Sequence, residues 1–546
     1  MPPAADETLT GMRTVRDAAF DVLRRLGGTT LFSNPGSTEI PLLTDLPPDL
    51  SFTLALHEGS VVGMATGWAL ARDSPAVVIL HTTAGLGNAV GALATARVNR
   101  APLVVLVGQQ DRRHLGYEPF LTGMSLDRLA GDYPVWTGQP ARAQDVPAMV
   151  ARAWREAEQH RGPALVVVPM DDWSAPANDD QELAAPARVL RATAVEPSII
   201  AELADLLTAA SAPALVVGAG ADNPTCWRAL QDLAERLDCP VWQEAFGGRA
   251  GFPQDHPRFA GQLPADRTGL RKALAGYDVI LTVGAPVFRQ YHYDAGRLTE
   301  PGTRIALITD DPDEINRSPV ELAVLAHPAA ACTALADRLT PRPAVDRPPL
   351  HSPTMPAPAS PDGRLEPAQV FVALAGRIPR DAVLVEESPS SRPDLQALVP
   401  AQESLGFLSA AMGGLGFGLP AAIGVRMARP DRPVVAVLGD GSTLYAVQAL
   451  WSAAHYRVGV LAIVLANGRY AIMDHLAQTA SGVDTPLREA APWPSFDAVS
   501  VSGLAAALGC PTRVVTNHRE LITAFDEILP TLARRTEPLV LEVAVQ

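Results

Sequence analysis

A Gly-Asp-Gly triplet, residues 439–441, follows the apolar run VVAVL, and Asn467 follows the next apolar run, VLAIVLA. Runs of this length and composition are typical of buried parallel strands, whose carboxyl ends meet at one edge of a sheet. Carboxylate and amide oxygens are hard ligands that suit Mg²⁺, with Ca²⁺ as an alternative, while phosphate and water complete the coordination. The spacing therefore predicts a metal-held phosphate at this sheet edge.

The segment after the triplet, STLYAVQALWSAAHY, has apolar residues at helical spacing, and we predict one amphipathic helix there. Gly441 and Ser442 would open this helix, so that its first backbone N–H groups hold phosphate oxygens. A tight turn between a strand and a helix would also use Gly-Asp-Gly. The asparagine, placed one helix and one strand later, favours the ligand-binding interpretation.

Short apolar runs alternate with alanine-rich stretches along the whole chain, which predicts α/β layers with helices on both faces of largely parallel sheets. The predicted strands are 76–80, 103–107, 164–168, 214–218, 279–283, 305–309, 383–386, 434–438, 460–466 and 539–545. Residues 341–363 are rich in proline, lack apolar periodicity and are predicted to be an extended linker. The chain then divides into three α/β domains, 1–180, 190–340 and 364–546, and the similar first and third parts suit a duplicated unit.

Composition limits the classes of protein to consider. The 546 residues are 47% hydrophobic and carry a net charge of −15, which argues against nucleic acid and anionic membrane surfaces as partners. No apolar run approaches the roughly 18 residues of a membrane span, and the first residues do not resemble a secretory signal. The four cysteines lack metal-ligand spacing and suggest free thiols. We therefore expect a cytoplasmic protein.

Several motifs together resemble one family. They are NPGSTEIP, ALHEGSVVGMATG, HTTAGLGNAVGA, GAPVFRQYHYD and GGLGFGLPAAIGV, beside the Gly-Asp-Gly and asparagine pair. The chain resembles thiamine diphosphate-dependent 2-oxo acid decarboxylases, most closely the benzoylformate decarboxylases, over nearly its whole length. The resemblance implies pyrimidine-binding, central and diphosphate-binding domains in that order. It also implies a homodimer or homotetramer with the cofactor at the subunit interface.

The resemblance assigns the cofactor site residue by residue. Glu58, which the flanking apolar strand and Ala/Gly-rich helix indicate to be buried, would bind the pyrimidine ring nitrogen and start cofactor activation. The Gly413 carbonyl would accept from the exocyclic amine, and Leu415 would hold the two rings in a bent form. Asp440, Asn467 and the backbone oxygen of Arg469 would hold the metal. The cofactor contacts implied are Glu58, Ser390, Gly413, Leu415, Gly439, Asp440, Gly441, Ser442 and Asn467.

The resemblance also implies the reacting groups. Ser37, which could otherwise cap a helix, would bind the substrate carboxylate. His81, which could otherwise be a hydrogen-bonded structural residue, would transfer protons near neutral pH. A second histidine is nominated as His292, with Tyr291 as its rival, because relatives place histidine one position earlier. The substrate pocket implied comprises Ser37, His81, Tyr291, Ile472, Met473 and Leu476.

The function implied is thiamine diphosphate- and Mg²⁺-dependent, non-oxidative decarboxylation of an apolar 2-oxo acid such as benzoylformate. Close benzoylformate decarboxylases have a small residue where Ile472 falls and an aromatic one at Leu476, so a preference for branched aliphatic side chains stays open. A carboligase or lyase acting on 2-hydroxy ketones or 2-hydroxyacyl thioesters is the alternative. A non-catalytic scaffold would be expected to lack Glu58 or the metal ligands, and both are present.

Overall fold

The computed structural model of the chain describes residues 12–178, 182–186, 188–343, 348–481 and 492–546. Part of the predicted linker, 344–347, and parts of the predicted first domain, 1–11 and 179–180, lie outside these residues. Within them the chain forms three sheets of six strands, and every paired strand is parallel to its neighbour. The predicted fold class, three α/β domains built on parallel sheets, is confirmed.

The first sheet has the strand order β2-β1-β3-β4-β6-β5. Its strands are β1 (Thr30–Asn34), β2 (Ser51–Leu54), β3 (Ala76–Leu80), β4 (Leu103–Gln109), β5 (Trp136–Gly138) and β6 (Pro163–Pro169). The helices of this part are α1 (Val15–Leu26), α2 (Ile40–Leu43), α3 (Glu58–Arg72), α4 (Thr82–Val98), α5 (Leu126–Leu129) and α6 (Val146–His160).

The second sheet has the order β12-β11-β10-β7-β8-β9, the doubly wound order in which the first strand lies beside the fourth. Its strands are β7 (Pro213–Val217), β8 (Val241–Gln243), β9 (Phe259–Gln262), β10 (Val279–Val283), β11 (Arg304–Thr309) and β12 (Leu322–Leu325). The helices are α7 (Pro197–Ala209), α8 (Pro224–Leu237), α9 (Arg267–Ala273), α10 (Pro312–Asn316) and α11 (Pro328–Arg338).

The third sheet has the order β14-β13-β15-β16-β18-β17. Its strands are β13 (Val383–Glu387), β14 (Phe407–Ser409), β15 (Val434–Gly439), β16 (Leu461–Ala466), β17 (Thr512–Val515) and β18 (Leu539–Ala544). The helices are α12 (Pro367–Ala375), α13 (Arg392–Leu398), α14 (Gly418–Ala428), α15 (Asp440–Leu444), α16 (Ala449–His455), α17 (Ala471–Ser481), α18 (Val501–Ala507) and α19 (His518–Ile528). Counted from its first strand, this order repeats that of the first sheet, as a duplicated unit requires.

The helix predicted after the Gly-Asp-Gly triplet is wrong in one respect, because the structure has two short helices, α15 and α16, where we expected one. Between them, the N–H of Tyr445 reaches the oxygen of Ser442 at 3.2 Å, and the N–H of Ala446 reaches that of Thr443 at 3.2 Å. These bonds span three residues, so the chain turns more tightly than an α-helix and changes direction. The predicted strands are all present. Among the described residues, the eight strands that the sequence did not indicate are short, with three to five residues each: β1, β2, β5, β8, β9, β12, β14 and β17.

Helices α3 and α14 join the first and third parts of the chain. A Cβ at Gly67 would overlap the carbonyl oxygen of Ala421, and one at Gly424 would overlap that of Met64. The glycines therefore let the two helix backbones approach closely, and one apolar core runs through both parts. Among the described residues, no helix is both long and apolar enough to cross a membrane.

Candidate active site

Glu58 begins α3 at the carboxyl edge of the first sheet and is 8% exposed, so the burial predicted from its flanks is confirmed. Its Oε1 accepts a hydrogen bond of 3.0 Å from Nδ2 of Asn34, the last residue of β1. Its Oε2 accepts one of 3.1 Å from Nδ2 of Asn88 on α4. Two amides thus fix the carboxylate in one orientation, and each oxygen keeps a further lone pair for a ligand.

His81 precedes α4 and is held through one ring nitrogen. Its Nδ1 lies 2.9 Å from Oγ1 of Thr38 and 3.0 Å from Oε2 of Glu39, a residue that is 2% exposed. The contact with the Glu39 carboxylate places the proton of the neutral ring on Nδ1 and leaves Nε2 as the nitrogen without one. Ser37, exposed beside them, shares this edge. The sequence reasoning missed Glu39, although it stands two residues after Ser37 in the NPGSTEIP motif.

The backbone around His81 is tightly built. A Cβ at Gly36 would overlap the imidazole ring of His81, so only glycine fits at this position beside the ring. Thr82 has a φ of +33°, in the left-handed region that costs a β-branched residue on the order of 1–3 kcal/mol. Strain of this size persists where the surrounding structure imposes it, and this strained residue directly follows His81 at the start of α4.

Asp440 begins α15 at the carboxyl edge of the third sheet and is 6% exposed. Its Oδ1 accepts from the N–H of Gly441 at 2.8 Å, and its Oδ2 accepts from those of Asn467 at 2.9 Å and Gly468 at 2.7 Å. Burial raises the pKa of Asp440, and the three backbone N–H groups act in the opposite direction. The carboxylate of Asp440, which follows β15, therefore lies against the backbone of Asn467, which follows β16, so the two residues meet as the spacing predicted.

The predicted metal ligands face a common cavity. Asp440, Asn467 and Arg469 line a space of about 1000 Å³, and Oδ1 of Asn467 accepts a 3.1 Å hydrogen bond from the Arg469 N–H, which leaves it a second lone pair. In the described ranges no three His, Cys, Asp or Glu side chains gather as a metal site. One carboxylate, one amide and one backbone carbonyl need no such cluster, and this hard-oxygen donor set fits Mg²⁺.

The other predicted cofactor contacts lie around the same sheet edge. Ser390 is exposed after β13, and Gly439 and Ser442 flank the start of α15. Gly413 has a φ of +73° with open space where a Cβ would stand, and Leu415 is 37% exposed in the loop between β14 and α14. Gly441 packs against the rings of Tyr470 and Phe496, which leaves no room for a Cβ there.

The predicted substrate residues fall on two further segments. Ile472 and Leu476 are half-buried on α17, which begins four residues after Asn467, and Met473 is 42% exposed beside them. Tyr291 is 59% exposed and His292 is exposed on the segment that follows β10, with their rings 4.3 Å apart at the centroids. Both residues are therefore open to solvent in one chain, and the role of either stays a prediction.

Within one chain the predicted residues form two groups rather than one. Glu58, His81 and Ser37 gather on the first domain, whereas the cavity that Asp440 lines is built from residue 364 and residues within 440–546. No first-domain residue lines that cavity among the described residues. A site that uses both groups would need the first domain of another copy.

Comparisons with known proteins identify the family of the chain. Three family models match: the thiamine pyrophosphate enzyme N-terminal TPP binding domain over 13–129, the central domain over 200–335 and the C-terminal TPP binding domain over 393–543. Benzoylformate decarboxylase of Pseudomonas aeruginosa is 40% identical over 476 residues, which cover 87% of this chain and 90% of that protein.

Solved structures are similar over almost the whole chain. The thiamine diphosphate-dependent 4-hydroxybenzoylformate decarboxylase of Rhodococcus jostii RHA1 matches with a TM-score of 0.91 at 35% identity, covering 98% of this chain and 99% of that one. Benzoylformate decarboxylase from Polynucleobacter necessarius matches with a TM-score of 0.91 at 33% identity and the same coverage. With both TPP binding domains, the central domain and the two residue groups in place, the chain belongs to the thiamine pyrophosphate enzymes.

Proposed function

We propose that the protein catalyses the thiamine diphosphate-dependent, non-oxidative decarboxylation of an apolar 2-oxo acid, with an aryl acid such as benzoylformate as the model substrate. The observation that carries this proposal is the buried Glu58 carboxylate, oriented by two amides at one sheet edge, together with the Asp440 and Asn467 pair at another. Relatives named for benzoylformate and 4-hydroxybenzoylformate decarboxylation support the substrate class.

Each side chain has a defined task in this proposal. Bound thiamine diphosphate supplies the electron sink that decarboxylation of a 2-oxo acid requires. Glu58 would hold a proton at the pyrimidine ring nitrogen, and Ser37 would bind the substrate carboxylate. His81 would exchange a proton at Nε2, because its Nδ1 is engaged by Thr38 and Glu39.

The proposal includes Mg²⁺ at Asp440, Asn467 and the backbone oxygen of Arg469. A divalent cation would keep the buried Asp440 carboxylate ionised, against the burial that raises its pKa. It would also neutralise diphosphate charge in a chain whose net charge is −15. Ca²⁺ has the same preference for oxygen ligands and is the alternative ion.

The proposal also includes a homodimer or homotetramer. Helix α4 carries Asn88, which binds Glu58, and on the same helix Gly87 and Gly91 have nothing within 4 Å of the place where a Cβ would stand. A second copy of the chain seated there would bring its Asp440 cavity to this Glu58. As compartment we propose the cytoplasm, since Cys226, Cys239, Cys332 and Cys510 are all free.

A panel of 2-oxo acids tests the reaction. The purified protein, supplied with thiamine diphosphate and Mg²⁺, should release CO₂ and aldehyde from benzoylformate, with pyruvate and a branched aliphatic 2-oxo acid as comparisons. Cofactor binding without CO₂ release from any member would reject decarboxylation. A carboligase or lyase would instead form or cleave a 2-hydroxy ketone, so product analysis after adding an acceptor aldehyde separates the two activities.

A further inference from the structure

Glu387 is a buried carboxylate with a task that the residues described so far do not include. It ends β13, is 3% exposed and accepts three consecutive backbone N–H groups. Its Oε1 accepts from Gly416 at 2.7 Å, and its Oε2 accepts from Phe417 at 2.7 Å and also from Gly418. Bonds from N–H groups to a carboxylate are stronger than those between neutral groups, so this is a firm anchor.

The three donors lie at the beginning of α14, an 11-residue helix whose first residue is Gly418. A helix start has unpaired N–H groups and partial positive charge, both of which a carboxylate satisfies. A Cβ at Gly418 would come within 2.8 Å of the Glu387 Cβ, so the helix start lies directly against the side chain. Burial raises the pKa of Glu387 to about 7, and the three N–H groups oppose that change.

This anchor ends the loop that carries Gly413 and Leu415. The other end of the loop is held by Asn99, which donates to the oxygen of Ser409 at 2.9 Å and accepts from the N–H of Ala411 at 2.8 Å. Between the anchors, Leu415 is 37% exposed, and Gly413 has open space where a Cβ would stand. The loop is therefore anchored at both ends, and between the anchors the N–H of Gly413 donates to the oxygen of Ala410 at 3.0 Å.

We propose that Glu387 is a positioning residue that sets the place of Gly413 and Leu415 against the bound cofactor, acting through the backbone of residues 416–418. The inference rests on the proposed function, because that function gives Gly413 and Leu415 their task. Glu387 itself would not touch the cofactor or the substrate. Its removal should thus disturb turnover more than substrate binding.

Glu387→Gln tests the proposal, because glutamine keeps the length of the side chain but loses the charge and places an NH₂ group against N–H donors. In the cofactor-free protein, amide hydrogen exchange in peptides covering 412–418 should be at least about tenfold faster than in the wild type. With thiamine diphosphate and Mg²⁺ added, kcat for benzoylformate should fall about 10²-fold, as a misplacement near 1 Å can cause, while KM changes little.

Gly418→Ala provides a second route to the same disturbance, since the added Cβ pushes against Glu387 and leaves its charge intact.

Glu314→Gln is the matched control, because Glu314 is also a buried carboxyl group, 7% exposed, whose pKa is raised by burial. It accepts from the Thr309 hydroxyl at 2.5 Å and lies in the central domain, away from the loop. The control should change neither the exchange of 412–418 nor kcat.

Wild-type exchange in 412–418 and wild-type kcat in both Glu387→Gln and Gly418→Ala would overturn the inference. A fall in melting temperature with unchanged kcat would assign Glu387 a role in stability alone and would overturn it too. If the wild type binds cofactor but decarboxylates nothing, the proposed function fails. The exchange measurement on cofactor-free protein still decides the inference in that case.

Discussion

Replacing Glu58 by glutamine separates the chemical task of the carboxyl group from its structural one. Both carboxylate oxygens accept from amides, at 3.0 Å from Asn34 and 3.1 Å from Asn88. Glutamine has the same shape but turns an NH₂ group toward one of those amides, so one hydrogen bond becomes a contact between two donors. Losing that bond costs about 1–3 kcal/mol, and removing a buried charge offsets part of the cost.

The expected loss of activity is much larger than the loss of stability. A side chain that holds a proton at the cofactor contributes about 10²–10⁴-fold to the rate, and glutamine cannot ionise. Glu58→Gln should therefore lower kcat by about that factor while the melting temperature shifts by only a few degrees. The assay measures CO₂ release from benzoylformate at saturating cofactor, with cofactor affinity and melting temperature determined on the same preparation.

Glu314→Gln again serves as the control for substituting a buried carboxyl group, since Glu314 lies outside both groups of site residues. It should keep the wild-type kcat. If Glu58→Gln retains cofactor and turns over within about threefold of the wild type, which is under 1 kcal/mol in transition-state stabilisation, the proton-holding task of Glu58 is refuted.

Three further predictions test the metal, the pocket and a buried acid. Asp440→Ala should weaken thiamine diphosphate binding at least about tenfold, because the metal that neutralises the diphosphate is lost. Dialysis of the wild type against a chelator should have the same effect. Unchanged cofactor affinity in the variant would contradict the metal assignment. Ile472→Ala should raise kcat/KM for benzoylformate relative to a branched aliphatic 2-oxo acid, because it removes bulk from the start of α17, where the substrate pocket is predicted. An unchanged ratio would show that Ile472 does not border the substrate. Burial raises the pKa of Glu387 from 4.5 to about 7, so the folded chain binds this proton more tightly than the unfolded chain, and stability falls as pH rises through that window. At 1.36 kcal/mol per pKa unit, the free energy of unfolding should fall by up to about 3 kcal/mol across that window. The melting temperature of Glu387→Gln, which lacks the titrating group, should fall less between pH 4.5 and 7 than that of the wild type.

The sequence predicts the position of those site residues that directly follow a predicted strand. Asp440 and Asn467 end neighbouring parallel strands, and this rule places them together without further information. Glu39 and Glu387 could not be recognised in this way. The bond from Glu39 to His81 depends on β1 and β3 lying side by side, and Glu387 binds N–H groups some thirty residues later.

The exposed pair Tyr291 and His292 shows a second limit of sequence reasoning. A shift of one residue reverses the direction of a side chain in a strand, but this segment follows β10 as a loop, where spacing does not set direction. Both rings are solvent-exposed and pack on each other. Spacing in the sequence therefore does not decide between the two residues, and the role of either stays a prediction.

The repeated strand order relates the two parts of the chain that carry the two groups of site residues. Helix α3 follows the second strand of the first unit, and α14 follows the second strand of the third unit, so the two helices that pack together within the chain are equivalent elements. That packing joins the units, yet the cavity beside Asp440 still receives no residue from the first domain among the described residues. The proposed function therefore includes a second copy of the chain, whose Glu58 would face this cavity.

Mixing two inactive variants tests this arrangement directly. Glu58→Gln and Asp440→Ala each damage every site when pure, but a mixed dimer has one site in which Glu58 from one chain meets Asp440 from the other. Random pairing of equal amounts should restore about a quarter of the wild-type activity, since half of the dimers are mixed and each has one intact site of two. Each variant unfolded and refolded alone is the control. Activity no higher than the average of the two parents would mean that both residues act within a single chain, and the proposed interface site would be wrong.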